Sequence, residues 1–455
     1  MTVREGDGTT GGPTGHPWFG DQRLTPAAPA GTIRDMLRHE LRDTGWPHQA
    51  LLPVAPIAVP RASYAGLFRV AAALVDLLRR TALETAPTTA GRLAAYRMPQ
   101  SEHQLFVRDP FVEERYPDCV VRPDVVIGPA GPQFLEFNVS GALGGVVETH
   151  CRLEVWRRLH ADAVGRTPFT SPDPFAVRAG MYRSLCAELG VAPRVAIVGS
   201  ARVEGVRSRY FQLEADYLNN HGLTARFFEP EELPQAWDCA PHLRYPVGLR
   251  NFTIPDWLDA GLDTSYVQDA LDNDCLLVGT QTSTFMHSKL TMGLLSEGRP
   301  WMSAADRDLV DAYVPWTRIL SDRRAARAGR EVELLPFVVA NRDLLVLKAG
   351  LGESGKQVVI GREVDQATWE SAVGEAAAEG TSVVQDFVAP RTCRVALVAD
   401  GDDEPHDVEV APVIGPLLFG GRPAGLFCRY YGDGSAGIVS IRGGESSSDN
   451  CMVAV

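Results

Sequence analysis

Lysine is nearly absent from this chain of 455 residues, which contains Lys289, Lys348 and Lys356 and no other. The remaining 41 of its 44 basic residues are arginines, although lysine is ordinarily among the commonest residues of globular proteins. We interpret the shortage as a coding bias that replaces lysine wherever any cation suffices. A lysine that survives then marks a site that needs a compact point charge, with chance survival as the alternative, above all for Lys356.

Other absences each exclude a class of protein. No apolar run approaches the roughly 18 residues that a membrane span requires, so no membrane association is expected. The N-terminus, MTVREGDGTTGGPTGHP, lacks the apolar segment of a secretory signal, and the eight cysteines show no paired spacing. Both absences indicate a reduced, cytoplasmic compartment. The net charge of −13 argues against nucleic acid as a partner.

The order of the predicted elements indicates a mixed α+β or α/β protein with more than one domain. Residues 194–230 read as strand, helix and strand, which predicts a small parallel sheet. Strands dominate after residue 333 and end with GIVSI at 437–441, with one helix over 365–379 between them. Apolar periodicity predicts further helices over 32–44, 62–86, 150–165, 173–190, 286–296 and 303–313.

A pair of strands over 119–139 ends in an unusual arrangement of polar residues. The second strand runs into FLEFNVSGALGG at 134–145. Because successive strand residues point to opposite faces, Glu136 and Asn138 share one face. Two oxygen donors placed in this way suit a Mg²⁺ ion that also holds phosphate oxygens. A solvated edge strand followed by a glycine turn is the alternative.

A glycine-rich loop lies within LLVLKAGLGESGKQVVIG at 344–361. Its spacing matches both the G-x-G-x-x-G dinucleotide fingerprint and most of a P-loop, but both motifs require a helix directly after the glycines. The β-branched run QVVIG predicts a strand there instead. The sequence therefore predicts a hairpin flap whose backbone N–H groups can surround phosphates, with Lys348 at the end of the entering strand. A mobile hairpin without a ligand is the alternative.

These features together resemble the ATP-grasp superfamily, in which two α+β lobes hold ATP between them. The family uses one lysine before the small lobe, here Lys289 in HSKLTMGLL, and a second before the flap, here Lys348. A hinge segment, here 384–388, reads the adenine. The Glu136-Phe-Asn138 strand precedes Lys348 by more than 200 residues, an order that resembles the circularly permuted, glutathionylspermidine synthetase-like branch.

The resemblance extends to individual positions. In that branch an Arg-x-Asp strand precedes the Glu-x-Asn strand, and this chain has Arg122-Pro-Asp124 twelve residues before Glu136. The resemblance implies that Arg122 faces the transferred phosphoryl group and that Arg429, in GLFCRYYGDG, faces the acyl phosphate. It implies Mg²⁺ ligation by Asp124, Glu136 and Asn138. It implies nucleotide binding by Lys289, Lys348, Gly350, Gly352, Glu353, Ser354, Gly355, Gln385, Asp386, Phe387 and Val388.

The implied activity is that of an ATP-dependent, ADP-forming carboxylate–amine ligase with an acyl-phosphate intermediate. A narrower likeness to pheganomycin-type peptide ligases suggests a role in peptide natural-product (antibiotic) biosynthesis. Small-molecule or peptide carboxylates and amines are the expected partners, and a homodimer is left open. A nicotinamide-dependent oxidoreductase and a noncatalytic nucleotide-binding protein are the alternatives.

The implied architecture is an ATP-grasp fold in circularly permuted order with a small parallel-sheet domain. We expect a disordered lead-in at 1–30, followed by a helical region with the metal-binding strands at 31–170. A pre-ATP-grasp α/β domain is expected at 171–285 and the nucleotide-binding lobes at 286–455. The residues that determine the acid and the amine are not apparent in the sequence.

The shortage of lysine makes a prediction of its own. Lys348→Arg should abolish most turnover, because a planar guanidinium cannot replace a compact cation at the end of a strand. Lys356→Arg should be mild, because a cation at the tip of a flap is hydrated. Steady-state kinetics of the two variants compare them directly, and the reverse order of effects would contradict the assignment.

Overall fold

The computed structural model describes residues 18–19, 23–98, 110–351, 357–435, 437–439 and 446–455. Its helices are Ala30–Glu40 (α1), Arg61–Glu84 (α2), Thr89–Ala95 (α3), Pro110–Arg115 (α4), Val146–His160 (α5), Pro174–Leu189 (α6), Ala201–Glu204 (α7), Arg209–Asn220 (α8), Pro234–Trp237 (α9), Ile254–Asp259 (α10), Ser265–Asp272 (α11), Gln281–His287 (α12), Lys289–Glu297 (α13), Ala304–Tyr313 (α14), Leu334–Ala340 (α15) and Gln366–Glu379 (α16).

The strands alternate with these helices in the first half of the chain and outnumber them in the second. They are Leu51–Pro53 (β1), Ile57–Val59 (β2), Val120–Gly128 (β3), Gly131–Val139 (β4), Arg194–Val198 (β5), Thr224–Phe228 (β6), Val247–Arg250 (β7), Leu276–Val278 (β8), Thr317–Ile319 (β9), Arg324–Arg327 (β10), Arg330–Glu333 (β11), Leu345–Ala349 (β12), Val358–Ile360 (β13), Ser382–Asp386 (β14), Cys393–Ala399 (β15), His406–Val410 (β16), Val413–Phe419 (β17), Arg422–Tyr431 (β18) and Ser447–Ala454 (β19).

A six-stranded sheet in the order β2-β19-β18-β17-β3-β4 forms the centre of the molecule. Its neighbours are antiparallel except β19 and β2, which run parallel. Every residue of β3 is buried, because β3 lies between β4 and β17 and both of its faces are covered. The long helix α2 packs against β17 and β19, and its apolar face, including Leu67, Leu74 and Leu78, joins the same core as Val121 and Ile414.

A second sheet, in the order β6-β5-β7-β8, is entirely parallel. This sheet confirms the parallel unit that the strand–helix–strand pattern predicts. After β5 the chain forms β6 on one side of β5 and then β7 on the other side. The carboxyl ends of β5 and β7 therefore flank the point where the strand order reverses. Such a point is where open parallel sheets form clefts.

A third sheet, in the order β13-β12-β14-β9, is antiparallel and carries the glycine loop between β12 and β13. One face of this sheet packs on α15 and α16, where Trp369 is fully buried beside Leu347 and Val384. The strand after the loop confirms the predicted hairpin and is incompatible with the helix that a dinucleotide fingerprint or a P-loop requires. Smaller sheets, β1-β15-β16 and β10-β11, complete the fold.

Two predicted elements differ from the structure. The helix predicted over 286–296 is two helices, α12 and α13, because Ser288 has extended backbone and its hydroxyl accepts the N–H of Leu290. Residues 437–439, predicted as the start of a strand, lie outside the strands, and 440–441 lie outside the described residues. None of the helices in the described ranges is long and apolar enough to cross a membrane.

The turn after β4 is glycine-rich because other backbone and side-chain groups approach it closely. A Cβ on Gly141 would lie 2.1 Å from the carbonyl oxygen of Arg250, so this glycine lets the turn rest on the carboxyl end of β7. Gly145 has φ +89°, and a Cβ there would lie 2.6 Å from the ring of Phe427. Packing therefore explains part of the small-residue run that the sequence associates with substrate access.

Gly145→Ala should lower the free energy of unfolding by about 3 kcal/mol. Alanine would have to adopt the left-handed conformation of Gly145, and its Cβ would overlap a buried ring. Gly374→Ala is the matched control, since Gly374 lies within α16 and a Cβ there meets nothing within 4 Å. That change should stabilise by about 0.5–1 kcal/mol. Urea unfolding of both variants measures the difference, and equal stabilities would contradict this account of the turn.

Candidate active site

A cleft of about 1070 Å³ opens where the three larger sheets meet. Its floor is the β3–β4 hairpin, one wall is β12 and β14 of the antiparallel sheet, and the opposite wall is formed by the loops after β5 and β7. This volume is at the upper end of the range of about 300–1,000 Å³ that holds a single small ligand. The cleft therefore has room for more than one substrate.

The floor of the cleft brings the four polar residues of the hairpin together. In the antiparallel register Asp124 is paired with Glu136, and Arg122 with Asn138. Directly opposed residues of an antiparallel pair point to the same face, and all four side chains line the cleft. The carboxamide of Asn138 lies 3.5 Å from Glu136 Oε1. The predicted strand pairing is thus what the structure shows, whereas the roles of the residues remain predictions.

Two arginines compensate the buried carboxylate of Asp124. Arg429 approaches from β18 and donates to both oxygens, with Nη2 2.6 Å from Oδ2 and Nη1 3.3 Å from Oδ1. Arg122 Nε lies 3.5 Å from Oδ1, and Arg122 Nη1 donates to the carbonyl of Gly144 at 2.7 Å. A Cβ on Gly415 would lie 2.9 Å from the Arg122 side chain, so glycine in β17 makes room for this cation.

A bulge in β4 positions Lys348. The register advances by one residue between Asp124 and Val125, so that Leu135 has no partner in the ladder. The Leu135 carbonyl instead accepts from Lys348 Nζ at 3.0 Å. Lys348 Nζ also donates to Gln385 Oε1 at 2.7 Å, and both acceptors are neutral oxygens. Gln385, predicted to read an adenine, therefore uses its side chain to hold this lysine.

The second predicted lysine, Lys289, begins α13 and is also buried. Its ammonium lies 3.5 Å from Glu136 Oε2. Its backbone N–H donates to the carbonyl of Gly350 at 2.8 Å, and Gly350 N–H donates in turn to Thr381 at 2.8 Å. Gly350 thus ties the start of α13 to the start of the flap. Gly352, Glu353, Ser354 and Gly355 lie outside the described residues.

Opposite charges set the protonation of the floor. Burial raises the pKa of Glu136, but Lys289 and Lys348 outweigh this effect, so its pKa lies well below the ordinary value and the carboxylate is charged. Burial lowers the pKa of Lys348 to about 8 despite the attraction of Glu136. The floor and the side chains next to it therefore combine four cations with two carboxylates, which favours an anionic ligand; the cations are Arg122, Lys289, Lys348 and Arg429.

Four residues of the predicted 384–388 hinge, from Gln385 to Val388, line the same cleft beside the apolar side chains of Val346 and Ile360. Val384 is buried in the core behind them. Asp386 pairs with Arg327 at 2.7 Å, and its N–H donates to the carbonyl of Trp316 at 2.9 Å. The guanidinium of Arg362 lies 3.9 Å from the ring centre of Phe387. An apolar slot with backbone at its edge can hold a planar heterocycle.

Two polar residues of the cleft are not predictable from the sequence. Arg250, at the end of β7, is buried, and its Nε has no hydrogen-bond partner in the described parts of the chain. Burial lowers the pKa of Arg250 to about 10. His287, at the end of α12, has both ring nitrogens buried and without a partner among the described residues. Both stand in the cleft, but one arginine among 41 and a single histidine carry no motif that distinguishes them in the sequence.

The predicted metal ligands fit a Mg²⁺ ion that shares its coordination with phosphate. The described residues hold no cluster of three or more His, Cys, Asp or Glu side chains suited to a metal. Mg²⁺ ordinarily takes one or two carboxylates and completes its octahedron with phosphates and water. Asp124 and Glu136, with the Asn138 amide, supply that set, although Arg429 engages both oxygens of Asp124 here.

Comparison with known proteins finds likeness in structure rather than in sequence. No family model matches the chain, and no curated protein is significantly similar to it in sequence. A glutathione synthetase-like effector from Globodera pallida, in its apo form, superposes with a TM-score of 0.59 at 12% identity, covering 95% of this chain and 98% of that one. The chain therefore has a glutathione synthetase-like, mixed α+β fold.

A second structure is more distant. It is named as a gamma-glutamylcysteine synthetase from Methylobacillus flagellatus and gives a TM-score of 0.32 at 12% identity, with 82% of this chain and 85% of that chain covered. A score at this level carries no argument about the fold. Of these two structures, the Globodera pallida effector is the one that bears on the fold of this chain.

The buried environment of Lys348 predicts an unusual titration. One lysine signal should titrate near pH 8, more than two units below the ordinary value of about 10.4, because burial disfavours the ammonium form. The chain has three lysines, so ¹³C-lysine labelling and NMR over pH 6–11 should resolve each one. The signal that titrates near pH 8 should be absent from the spectrum of Lys348→Met. Three signals that all titrate near pH 10 would contradict the buried geometry.

Proposed function

We propose that this protein is an ATP-dependent carboxylate–amine ligase that forms an amide bond through an acyl phosphate and releases ADP and orthophosphate. The observation that carries the proposal is the floor of the cleft, where Asp124 and Glu136 lie on adjacent strands among four cations. Support comes from the glutathione synthetase-like fold, since the structural neighbour is named for a synthetase. The circularly permuted ATP-grasp order, inferred from the sequence, belongs to the same proposal.

The wall formed by β12 and β14 suits the nucleotide. Its apolar slot beside the hinge would hold the adenine, and the flap between β12 and β13 would cover the phosphates with its backbone N–H groups. Lys348 and Lys289 then lie along the polyphosphate and stabilise the charge that develops as the terminal phosphoryl group leaves. Mg²⁺, when bound by Asp124, Glu136 and Asn138, would neutralise phosphate charge and align the transfer.

The opposite end of the cleft suits a substrate that carries a carboxylate. Arg250 is a buried cation whose Nε donates to none of the described residues, and planar guanidinium groups bind carboxylates with two parallel hydrogen bonds. The stacked rings of Trp46 and Tyr210, with centres 5.6 Å apart, line this end. Amino acids or short peptides fit such a pocket, in agreement with the narrower likeness to peptide ligases noted in the sequence.

The chemistry then follows from the positions of the residues. A substrate carboxylate oxygen attacks the terminal phosphorus of ATP, and ADP departs. Arg122 and Arg429 stand where the acyl phosphate would form and compensate its charge. An amine then attacks the acyl carbon and orthophosphate leaves. Closure of the flap would exclude water, which otherwise hydrolyses the acyl phosphate.

The test is a screen of amino acids and short peptides for conversion of ATP to ADP, with hydroxylamine in place of the amine. A hydroxamate together with stoichiometric ADP is expected. Glu136→Ala should reduce turnover at least about 10³-fold, because it removes a proposed metal ligand. Glu331→Ala, an exposed residue of β11, is the matched control and should have full activity.

Other results would favour other functions. AMP and pyrophosphate as the products would point to adenylation and overturn the proposal. Tight ATP binding with no turnover on any acid would indicate a noncatalytic nucleotide-binding protein. Binding of NADH in preference to ATP would favour an oxidoreductase, against which the strand after the glycine loop already argues.

A further inference from the structure

His287 is the last residue of α12 and stands in the cleft two residues before Lys289. Its Nδ1 and Nε2 are both buried, and neither has a hydrogen-bond partner within the described ranges. A buried polar group without a partner costs about 1–3 kcal/mol, and such groups are rare in native proteins. The ring is therefore expected to meet a partner that arrives with a ligand.

The position of the ring does not depend on that ligand. The first turn of α12 is fixed by Glu113, whose carboxylate accepts the N–H groups of Gln281 at 3.2 Å and Thr282 at 2.6 Å. Ser283 donates to the carbonyl of Pro117 at 2.6 Å, and α12 packs against β4 of the floor. A polar side chain on so well-anchored a helix is preorganised for recognition.

The charges around the ring identify what it can bind. Burial, reinforced by Lys289 and Arg122, lowers the pKa of His287 to about 3. The imidazole is therefore neutral at physiological pH, with one nitrogen as donor and the other as acceptor. Neighbouring cations disfavour a substrate ammonium at this position and favour an oxyanion. A ring that is so weakly basic is also a poor general base and does not supply a proton to a leaving group.

We propose that His287 donates its ring N–H to an oxygen of the phosphoryl group that passes from ATP to the substrate carboxylate. This inference rests on the proposed ligase function. The ring acts as a neutral hydrogen-bond donor, so no proton is transferred and no bond to the ring forms. Lys289, Arg122 and His287 would then each contact the phosphoryl group during the transfer.

The test compares two probes by isothermal titration calorimetry in the presence of Mg²⁺. ADP alone occupies the nucleotide end, whereas ADP with aluminium fluoride adds a mimic of the phosphoryl group in transit. His287→Phe should weaken binding of ADP with aluminium fluoride at least tenfold, equivalent to about 1.4 kcal/mol, and should leave ADP binding unchanged. His287→Gln and His287→Asn each retain a donor near one ring nitrogen, and at least one of them should restore most of the affinity.

His160→Phe is the matched control, because His160 Nε2 is also buried without a partner among the described residues but the side chain packs on Phe169, away from the cleft. That variant should bind both probes like the wild type. Should His287→Phe fail to fold, as judged by circular dichroism, His287→Met makes the same comparison.

Two outcomes overturn the inference on its own. The first is that His287→Phe binds ADP with aluminium fluoride as tightly as the wild type does. The second is that its affinity for ADP alone falls by the same factor as its affinity for ADP with aluminium fluoride. Failure of the wild type to bind either probe would overturn the ligase proposal itself, and the inference with it. The wild type is tested before any variant is made, so failure of the ligase proposal can be distinguished from failure of the His287 inference.

Discussion

The hydrogen bond from Lys348 to the carbonyl oxygen of Leu135 links the two sheets between which the cleft lies. It exists because β4 bulges at Leu135 and takes that carbonyl out of the ladder. The same carbonyl also accepts from Gln385 Nε2 at 3.3 Å, and Gln385 Oε1 accepts from Lys348. The bulge therefore holds both Lys348 and Gln385 against the floor of the cleft.

The charge distribution of the floor is poorly suited to a protein without a ligand. Four cations face two carboxylates, and Lys348 is buried against neutral oxygens. Buried charge of one sign is costly unless it is compensated. Functional sites are where a sequence departs from the rules that stabilise the rest of a fold. The excess positive charge is readily understood if an anion is the ordinary occupant.

The sequence predicts those parts of the structure that local patterns encode. The β3–β4 hairpin and the flap were predictable because alternation and glycine turns mark both, and the hairpin places Asp124 opposite Glu136. The short strands β7 and β8 are not predictable, because segments of three or four residues are too short to show a period. Arg250 at the end of β7 was missed with them.

Long-range contacts were beyond the sequence for a different reason. No local pattern shows that Arg429 reaches Asp124 across β17 or that Gln385 holds Lys348. His287 is not predictable because a single histidine belongs to no motif, and its nitrogens are seen to lack a partner among the described residues only in the structure. The metal, nucleotide and phosphoryl roles of the residues stay predictions, since placement in a cleft does not by itself assign a role.

The central sheet also has a consequence for biosynthesis. Strand β3 needs β17 beside it, and β2 pairs with β19, so that Ile57 adjoins Met452. The hairpin that bears the carboxylates is therefore translated long before its neighbours leave the ribosome. Until then the edge of β3 that faces β17 is unpaired, and unpaired edges invite association with other chains. The cleft and the central sheet are completed in the same late step, when the C-terminal strands are synthesised. A partly synthesised chain therefore has no complete cleft and is vulnerable to aggregation.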